Sequence, residues 1–174
     1  MALDFTLSEE HQMVRSSVRS MLQTKYLPRW REIREMAHAQ KKFPQELWDD
    51  FARLGLLGCL VPEEYGGNGM GLLALTIAFE EITANGFNPG LLLVTAMDTS
   101  CILKNGSDPL KRTFLPRIAD GSWKLCFAVT EPDAGSNTFR IQTVARRDGD
   151  HYVLNGQKVF ITGVDEADYM LVVA

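Results

Sequence analysis

Apolar residues recur every three or four positions through the first 122 residues of the chain, and this spacing predicts α-helices. The first helix is expected to begin at a capping box that joins Thr6 to Glu9, and Pro28 either ends it or begins the next helix. The second helix is predicted to have Pro44 at its first position and Gly55 just beyond its end. Its apolar stripe consists of Leu47, Trp48, Phe51 and Leu54.

Three further helices are predicted over residues 72–85, 90–105 and 109–118, which makes five in all. The fourth is apolar nearly all round, which indicates a helix surrounded by other parts of the protein. Residues 61–69 are too rich in Gly and Pro for a helix or strand, so they are predicted to form a loop. Its glycines could admit a phosphate, but turn geometry is the favoured interpretation because the sequence context of a phosphate-binding loop is missing.

After Trp123 the pattern shifts to the alternation that is typical of β-strands. Strands are predicted over residues 124–130, 141–147, 151–154, 158–162 and 169–174. Tight turns are predicted at Asp148-Gly149 and Asn155-Gly156. The last strand would leave an open apolar sheet edge, so we expect either a longer parent protein or strands supplied by another polypeptide.

The whole pattern predicts an α+β fold, in which an all-α helical domain over residues 1–122 precedes an incomplete β domain over residues 123–174. The 18 basic and 22 acidic residues give a net charge of −4 without long like-charged blocks, which disfavours nucleic acid and anionic membranes as partners. Apolar runs fall short of the ~18–20 residues that cross a bilayer, so no membrane span is expected. The first residues resemble neither a secretory signal nor a transit peptide. We therefore expect a cytoplasmic protein, or one of the mitochondrial matrix if the chain is a processed eukaryotic protein.

The cysteines and histidines predict neither a disulfide framework nor a metal site. Cys59, Cys101 and Cys126 are odd in number and lie in apolar segments, which is typical of buried thiols. The histidines are scattered, and no spacing typical of a metal site or of a cysteine nucleophile occurs. They are His11, His38 and His151.

The loop at residues 130–137, Thr-Glu-Pro-Asp-Ala-Gly-Ser-Asn, is the segment with the most chemistry. Its small residues would let backbone N–H groups approach a pyrophosphate or a ring carbonyl, and the hydroxyls of Thr130 and Ser136 could orient such a group. Every residue of this loop is also a common turn former, so an ordinary β-loop remains open on the residues alone.

Two segments together resemble the paired flavin-binding segments of acyl-CoA dehydrogenases. They are residues 127–137, Phe-Ala-Val-Thr-Glu-Pro-Asp-Ala-Gly-Ser-Asn, and residues 154–162, Leu-Asn-Gly-Gln-Lys-Val-Phe-Ile-Thr. Phe43-Pro44, Leu54-Gly55-Leu56 and the run from Val61 to Gly67 are similar to the N-terminal helical domain of that family. The resemblance implies that the strands open an antiparallel, barrel-like β domain, and that the family's C-terminal four-helix bundle is absent from this chain.

The resemblance implies FAD as the cofactor and assigns a role to the first segment. Phe127 to Ser136 would lie along the flavin, with Val129 and Thr130 at the polar edge of the isoalloxazine ring. Gly135 and Ser136 would lie where FAD meets coenzyme A, and Ser136 would contact both cofactor and substrate.

The second segment would form the other wall of the flavin site, through Phe160, Ile161 and Thr162. The Thr162 hydroxyl would hydrogen-bond near flavin N5, and such donors favour the charge that reduction places on the ring. The chain departs from the usual family pattern at Phe160, Asp133 and Asn137, where Trp, Gly and Asp are common. Structural tolerance is the favoured interpretation of all three.

The activity implied by the resemblance is α,β-dehydrogenation of an acyl-CoA thioester, with electrons passed to an electron-transfer flavoprotein. The implied protein is a flavoprotein oxidoreductase of fatty acid or amino acid catabolism, and a homo-oligomer, either tetramer or dimer. The alternatives are an acyl-CoA oxidase, a flavin monooxygenase of the same scaffold, and a non-catalytic partner chain.

The catalytic base of the family is a Glu of the missing bundle, so no catalytic residue is assigned within this chain. By spacing alone, Glu63-Glu64, Glu80-Glu81 or Glu131 could be nominated as a base. Adjacent acids more often form a solvated face, and this is the favoured interpretation.

Overall fold

The computed structural model of the protein describes residues 6–40 and 43–174. The described part contains six α-helices: α1 Glu9–Met21, α2 Trp30–Gln40, α3 Gln45–Arg53, α4 Gly71–Ala84, α5 Gly90–Asn105 and α6 Asp108–Ala119. It also contains four strands: β1 Leu125–Ala128, β2 Val144–Asp148, β3 His151–Asn155 and β4 Tyr169–Val172. The predicted α+β class, with helices followed by strands, is confirmed, and the described strands do not close into a barrel.

The first helical region differs from its prediction in two ways. The N-cap of α1 is Ser8, whose hydroxyl accepts a hydrogen bond from His11 N at 3.3 Å, so the predicted capping box at Thr6 is wrong. Helix α2 is absent from the five predicted helices, and Pro28 lies in the 3₁₀ turn that leads into it. Among the side chains of α2 described here, only Ile33 is buried, so few of its apolar residues contribute to the core.

The core lies mainly between the helices. Helix α1 packs on α4, while α5 packs on α6 and on β1. Trp48, Tyr26 and Phe51 are the largest fully buried side chains. The Trp48 indole N–H donates to the Gly121 carbonyl at 2.9 Å and so ties α3 to the end of α6.

The glycine-rich loop at residues 61–69 is a structural turn, as predicted. Its backbone N–H groups donate to carbonyls of the chain itself, for example Gly66 to Glu63 at 2.9 Å and Gly69 to Val61 at 3.1 Å. Gly67 lies so close to Val61 that a Cβ there would meet its carbonyl oxygen at 1.9 Å. These amides are already engaged, so they cannot cradle a phosphate without breaking the turn.

The four strands form two separate pairs. Strands β2 and β3 form an antiparallel hairpin whose turn contains Gly149 at φ 60°, as the Asp148-Gly149 signal predicts. Strands β1 and β4 pair in parallel, with Leu125 opposite Tyr169, which differs from the antiparallel arrangement expected for the strands. A parallel pair requires a long crossover, and residues 129–168 supply it.

The predicted strand over residues 158–162 is wrong, because none of these residues lies in a strand. Phe160 has a φ of 57°, a left-handed conformation that interrupts an extended chain. The segment is instead joined to the first loop segment by hydrogen bonds, among them one between backbone groups, from Val159 N to Thr130 O at 2.9 Å.

The described chain has three free thiols and no membrane-length helix. Cys59 and Cys126 are buried as predicted, whereas Cys101 is partly exposed. Burial raises the pKa of Cys59 to about 11, which makes it an inert thiol. No described helix is long and apolar enough to cross a membrane, and no group of three or more potential metal-ligating side chains occurs in the same residues.

Candidate functional site

The structure brings together the two segments that the sequence singles out. The Val159 N–H donates to the Thr130 carbonyl at 2.9 Å, and the Lys158 ammonium donates to the Val129 carbonyl at 2.9 Å. Residues separated by about thirty positions along the chain therefore lie side by side, and both segments carry exposed residues.

The first segment leaves β1 and turns sharply. Phe127 lies in β1 opposite Leu171, and Val129 and Thr130 follow it, partly buried. Glu131 and Ala134 then close a tight turn through two backbone hydrogen bonds of 2.9 and 3.2 Å.

Beyond this turn, Gly135 and Ser136 are exposed. A Cβ added to Gly135 would meet nothing within 4 Å, so packing within the chain does not require glycine there. The open space leaves room for another group to approach this backbone closely.

The second segment presents an exposed ring and an exposed hydroxyl. The Phe160 side chain is 92% exposed, Ile161 is partly buried and Thr162 is exposed. Thr162 lies against the first turn of α5, where its Cγ2 would lie 3.5 Å from a Cβ placed on Gly90. Thr162 therefore lies beside the N-terminus of α5.

A cavity of about 480 Å³ lies beside Thr162, between α2 and the first turns of α3 and α5. Its wall is mainly apolar and includes Trp30, Phe43 and Leu91, while Arg34, whose guanidinium stacks on the Trp30 ring at 5.1 Å, contributes a positive charge. Sequence reasoning missed this cavity because one wall belongs to α2, the unpredicted helix.

Glu131 is a buried anchor rather than a solvated acid. Its carboxylate accepts hydrogen bonds from the Thr143 hydroxyl, from Gln142 N at 2.7 Å and from the Lys158 ammonium at 2.9 Å. The Thr143 bond and these other donors lower the pKa of Glu131 to about 2. The sequence gives no signal for this role, because the partners lie 11 to 27 positions away.

Of the two adjacent pairs of glutamates, three side chains are exposed and one is buried. Glu63 and Glu64 are exposed, as the solvated-face interpretation predicts. Glu80 is also exposed, but Glu81 is buried, and Arg19 holds it through two bonds of 2.7 and 2.9 Å. The solvated-face interpretation is therefore wrong for Glu81, which joins α4 to α1.

Two family models match the chain along most of its length: "Acyl-CoA dehydrogenase, N-terminal domain" over residues 8–122 and "Acyl-CoA dehydrogenase, middle domain" over residues 126–174. The chain belongs to the acyl-CoA dehydrogenase family.

Relatives and solved structures agree with this assignment. The chain is 43% identical over 171 residues to acyl-CoA dehydrogenase FadE12 of Mycobacterium tuberculosis, covering 97% of this chain and 43% of that protein. It is 40% identical to cyclohex-1-ene-1-carbonyl-CoA dehydrogenase of Syntrophus aciditrophicus, covering 95% of this chain and 40% of that protein. A glutaryl-CoA dehydrogenase structure from Mycobacterium smegmatis in complex with FADH2 matches with a TM-score of 0.83 and 32% identity, over 95% of this chain and 42% of that one.

The chain thus spans less than half the length of these acyl-CoA dehydrogenases. Its three departures from the usual family residues have different surroundings. Asp133 is exposed, and Asn137 accepts a hydrogen bond from Phe139 N at 3.2 Å, which caps a 3₁₀ turn. Phe160 combines a left-handed backbone with an exposed ring, so its side chain fills no space within the described chain.

The exposed groups of this acyl-CoA dehydrogenase chain suit a flat ring with a polar edge. Phe160 offers an apolar face, Thr162 and Ser136 offer hydroxyls, and Gly135 offers open backbone. Large apolar side chains that stand in water commonly mark a binding surface. The residues present therefore fit a flavin and its phosphates.

Proposed function

We propose that this chain forms the N-terminal part of an FAD-dependent enzyme that dehydrogenates acyl-CoA thioesters between the α and β carbons. The observation that supports the proposal best is the pairing of the two loop segments through Val159 and Thr130, because both segments carry exposed groups, among them the Ser136 and Thr162 hydroxyls and the Phe160 ring. The family membership, and relatives that are named as acyl-CoA dehydrogenases, support the same reaction.

Eight residues would hold the cofactor: Phe127, Val129, Thr130, Gly135, Ser136, Phe160, Ile161 and Thr162. Bound FAD would supply the acceptor for the hydride that leaves the β carbon of the substrate. Thr162 would donate a hydrogen bond near N5, and Val129 and Thr130 would lie at the polar edge of the ring. Fixed donors at these positions favour the negative charge that reduction creates.

Ser136 would contact both FAD and the coenzyme A part of the substrate. Its exposed hydroxyl and the open backbone at Gly135 support this role, because phosphate oxygens accept hydrogen bonds from such groups. No residue of this chain is proposed as the catalytic base. Glu131 in particular is unsuited, because its hydrogen-bond donors hold it as a carboxylate with a pKa of about 2.

We also propose that an electron-transfer flavoprotein receives the electrons. A solved structure titled "Electron transferring flavoprotein of Acidaminococcus fermentans: Towards a mechanism of flavin-based electron bifurcation" matches this chain with a TM-score of 0.83 and 31% identity, over 98% of this chain and 44% of that one. On this proposal, reoxidation of the substrate-reduced enzyme should be fast with an electron-transfer flavoprotein and slow with oxygen. Rapid reoxidation by oxygen would instead identify an oxidase or a monooxygenase.

We further infer a homo-oligomer, either tetramer or dimer, that acts in fatty acid or amino acid catabolism in the cytoplasm or, for a processed eukaryotic protein, in the mitochondrial matrix. Exposed apolar side chains such as Leu72, Met13 and Phe139 support association with further protein surface. Sedimentation of the FAD-loaded protein would test the oligomeric state, and a monomer would contradict it.

The central test of the cofactor site is Thr162→Val, compared with Thr162→Ser. Valine keeps the volume of the side chain but removes the hydroxyl donor, so the reduction potential of the bound FAD should fall. Serine keeps the donor and should retain a potential close to that of the wild type. Spectroelectrochemical titration of the FAD-loaded protein gives the measurement. Equal potentials for valine and wild type would contradict the role of Thr162. A full-length enzyme that has this chain as its N-terminal part and binds no FAD would contradict the proposed function itself.

A further inference from the structure

Lys158 and Glu131 form an ion pair inside the junction of the two loop segments. Their side chains are only 9% and 5% exposed, and the Lys158 Nζ lies 2.9 Å from Glu131 Oε1. Burying two charges is costly unless each also makes further hydrogen bonds. The contacts of both groups therefore show what the pair holds in place.

Glu131 is anchored to the chain that leads into β2. It accepts hydrogen bonds from Gln142 N at 2.7 Å, from Thr143 N at 2.9 Å and from the Thr143 hydroxyl. These donors keep the carboxylate in one position, so the ammonium of Lys158 has a fixed partner.

Lys158 in turn holds the peptide between Val129 and Thr130. Its ammonium donates to the Val129 carbonyl at 2.9 Å, in addition to its bond with Glu131. In a trans peptide the C=O and the following N–H point in opposite directions. With the carbonyl held toward Lys158, the Thr130 N–H must point away from it.

The Thr130 N–H is available for a ligand. Among the described residues, none accepts a hydrogen bond from it, although the Thr130 carbonyl accepts one from Val159 at 2.9 Å. A partly buried N–H without an internal acceptor normally bonds to water or to a bound group.

We propose that Lys158, fixed by Glu131, is a positioning residue that directs the Thr130 N–H toward the polar edge of bound FAD. This inference rests on the proposed function, since it concerns the same cofactor site. Lys158 contacts the backbone and Glu131, and acts on the cofactor only through the orientation of that peptide.

The test compares Lys158→Met with Thr143→Val in the FAD-loaded protein. Both variants remove one donor from Glu131, but only the first releases the Val129 carbonyl. We expect Lys158→Met to weaken FAD binding by about tenfold or more, because a hydrogen bond of a charged group contributes on this scale. Its FAD should also have a lower reduction potential and an altered visible spectrum. Thr143→Val should stay within about twofold of the wild-type FAD affinity and keep its potential and spectrum, because the N–H groups of Gln142 and Thr143 and the Lys158 ammonium still hold Glu131, and Lys158 still holds the Val129 carbonyl.

Affinity is measured by flavin fluorescence titration of the apoprotein, and thermal unfolding of each apoprotein shows how far the variant loosens the fold. Equal changes in potential and spectrum for both variants would mean that the pair only stabilises the loops, which would overturn the positioning role. Lys158→Arg keeps the cation and should recover part of the wild-type potential, and no recovery would also count against the proposal. If Lys158→Met does not fold, Lys158→Gln replaces it under the same criteria. The full-length wild-type enzyme, which has this chain as its N-terminal part, separates the two failures. If it binds FAD, a failed variant test counts against the positioning role alone, and if it binds no FAD, both proposals fall.

Discussion

The buried carboxyl of Asp98 lies in α5 against β1, and its side chain is fully inaccessible. Among the described residues, neither of its oxygens has a hydrogen-bond partner. Burial raises the pKa of Asp98 to about 7, well above the ordinary value of 3.8, and the nearby carboxyl also contributes to the raised pKa of Cys126. The folded state therefore keeps this proton over a pH range in which the unfolded chain has lost it.

Asp98→Asn should remove a pH dependence of stability. Between about pH 4 and pH 7 the folded wild type binds one more proton than the unfolded chain, so its free energy of unfolding falls as pH rises. The asparagine side chain cannot titrate. The free energy of unfolding of the variant should therefore rise relative to that of the wild type by up to about 1.4 kcal/mol per pH unit in that range. Urea unfolding at pH 5, 6, 7 and 8 measures the difference.

Thr99→Ser is the matched control for that prediction. Thr99 is buried one position along the same helix and carries no titratable group at these pH values, so the variant should keep the slope of the wild type. A constant difference between Asp98→Asn and wild type from pH 5 to pH 8 would show that Asp98 is not protonated in the folded protein.

Glycines in the left-handed conformation end two of the elements, and their surroundings differ. Gly121 has a φ of 80° and follows α6, where a Cβ would lie 2.7 Å from the Cβ of Ala52 and 3.0 Å from Leu57. Gly66 has a φ of 82° after a 3₁₀ turn, and a Cβ there would meet nothing within 4 Å. The backbone requirement is the same at both positions, whereas only Gly121 is crowded.

Gly121→Ala should therefore destabilise the protein more than Gly66→Ala. The left-handed conformation alone costs about 1–2 kcal/mol for alanine, which is the loss expected at Gly66. At Gly121 the contact with α3 should add about 1–3 kcal/mol, because α3 must shift to make room. Chemical denaturation of both variants measures the loss in the free energy of unfolding. Equal losses would show that the end of α6 accommodates the added methyl group without further destabilisation.

The whole molecule combines a packed helical core with a hairpin that stands in solvent. Helices α3, α4 and α5 contribute fully buried side chains, including Phe51, Leu75 and Leu92. Every residue of β2 and β3 is exposed, and this sheet has only two strands. Two-stranded sheets without a covering layer are marginally stable in water.

The rate of amide hydrogen exchange should therefore differ between the helical core and the hairpin. Backbone amides in α4 and α5 are expected to exchange slowly, and those of β2 and β3 rapidly, because local opening of the hairpin exposes almost no apolar surface. Exchange of the 174-residue chain followed by mass spectrometry resolves both regions. Protection of the hairpin equal to that of α4 would show that another surface covers β2 and β3.

The sequence by itself determined the elements whose signals are local. The apolar stripe at Leu47 and Phe51 predicted α3, Gly55 marked its end with a φ of 71°, and Asp148-Gly149 located the hairpin. In each case, the residues that form the signal are neighbours on one helix or in one turn, so tertiary structure adds little to the outcome.

Only the tertiary structure decided the features that depend on distant residues. Helix α2 has too few buried apolar residues to be recognised alone, and β1 and β4 become parallel neighbours across forty intervening positions. Glu131 appears in the sequence as one acid of a polar loop, and it becomes an anchor because Thr143 and Lys158 fold around it. The free energy of a buried charge depends on which donors surround it, and those donors are brought together only when the chain folds.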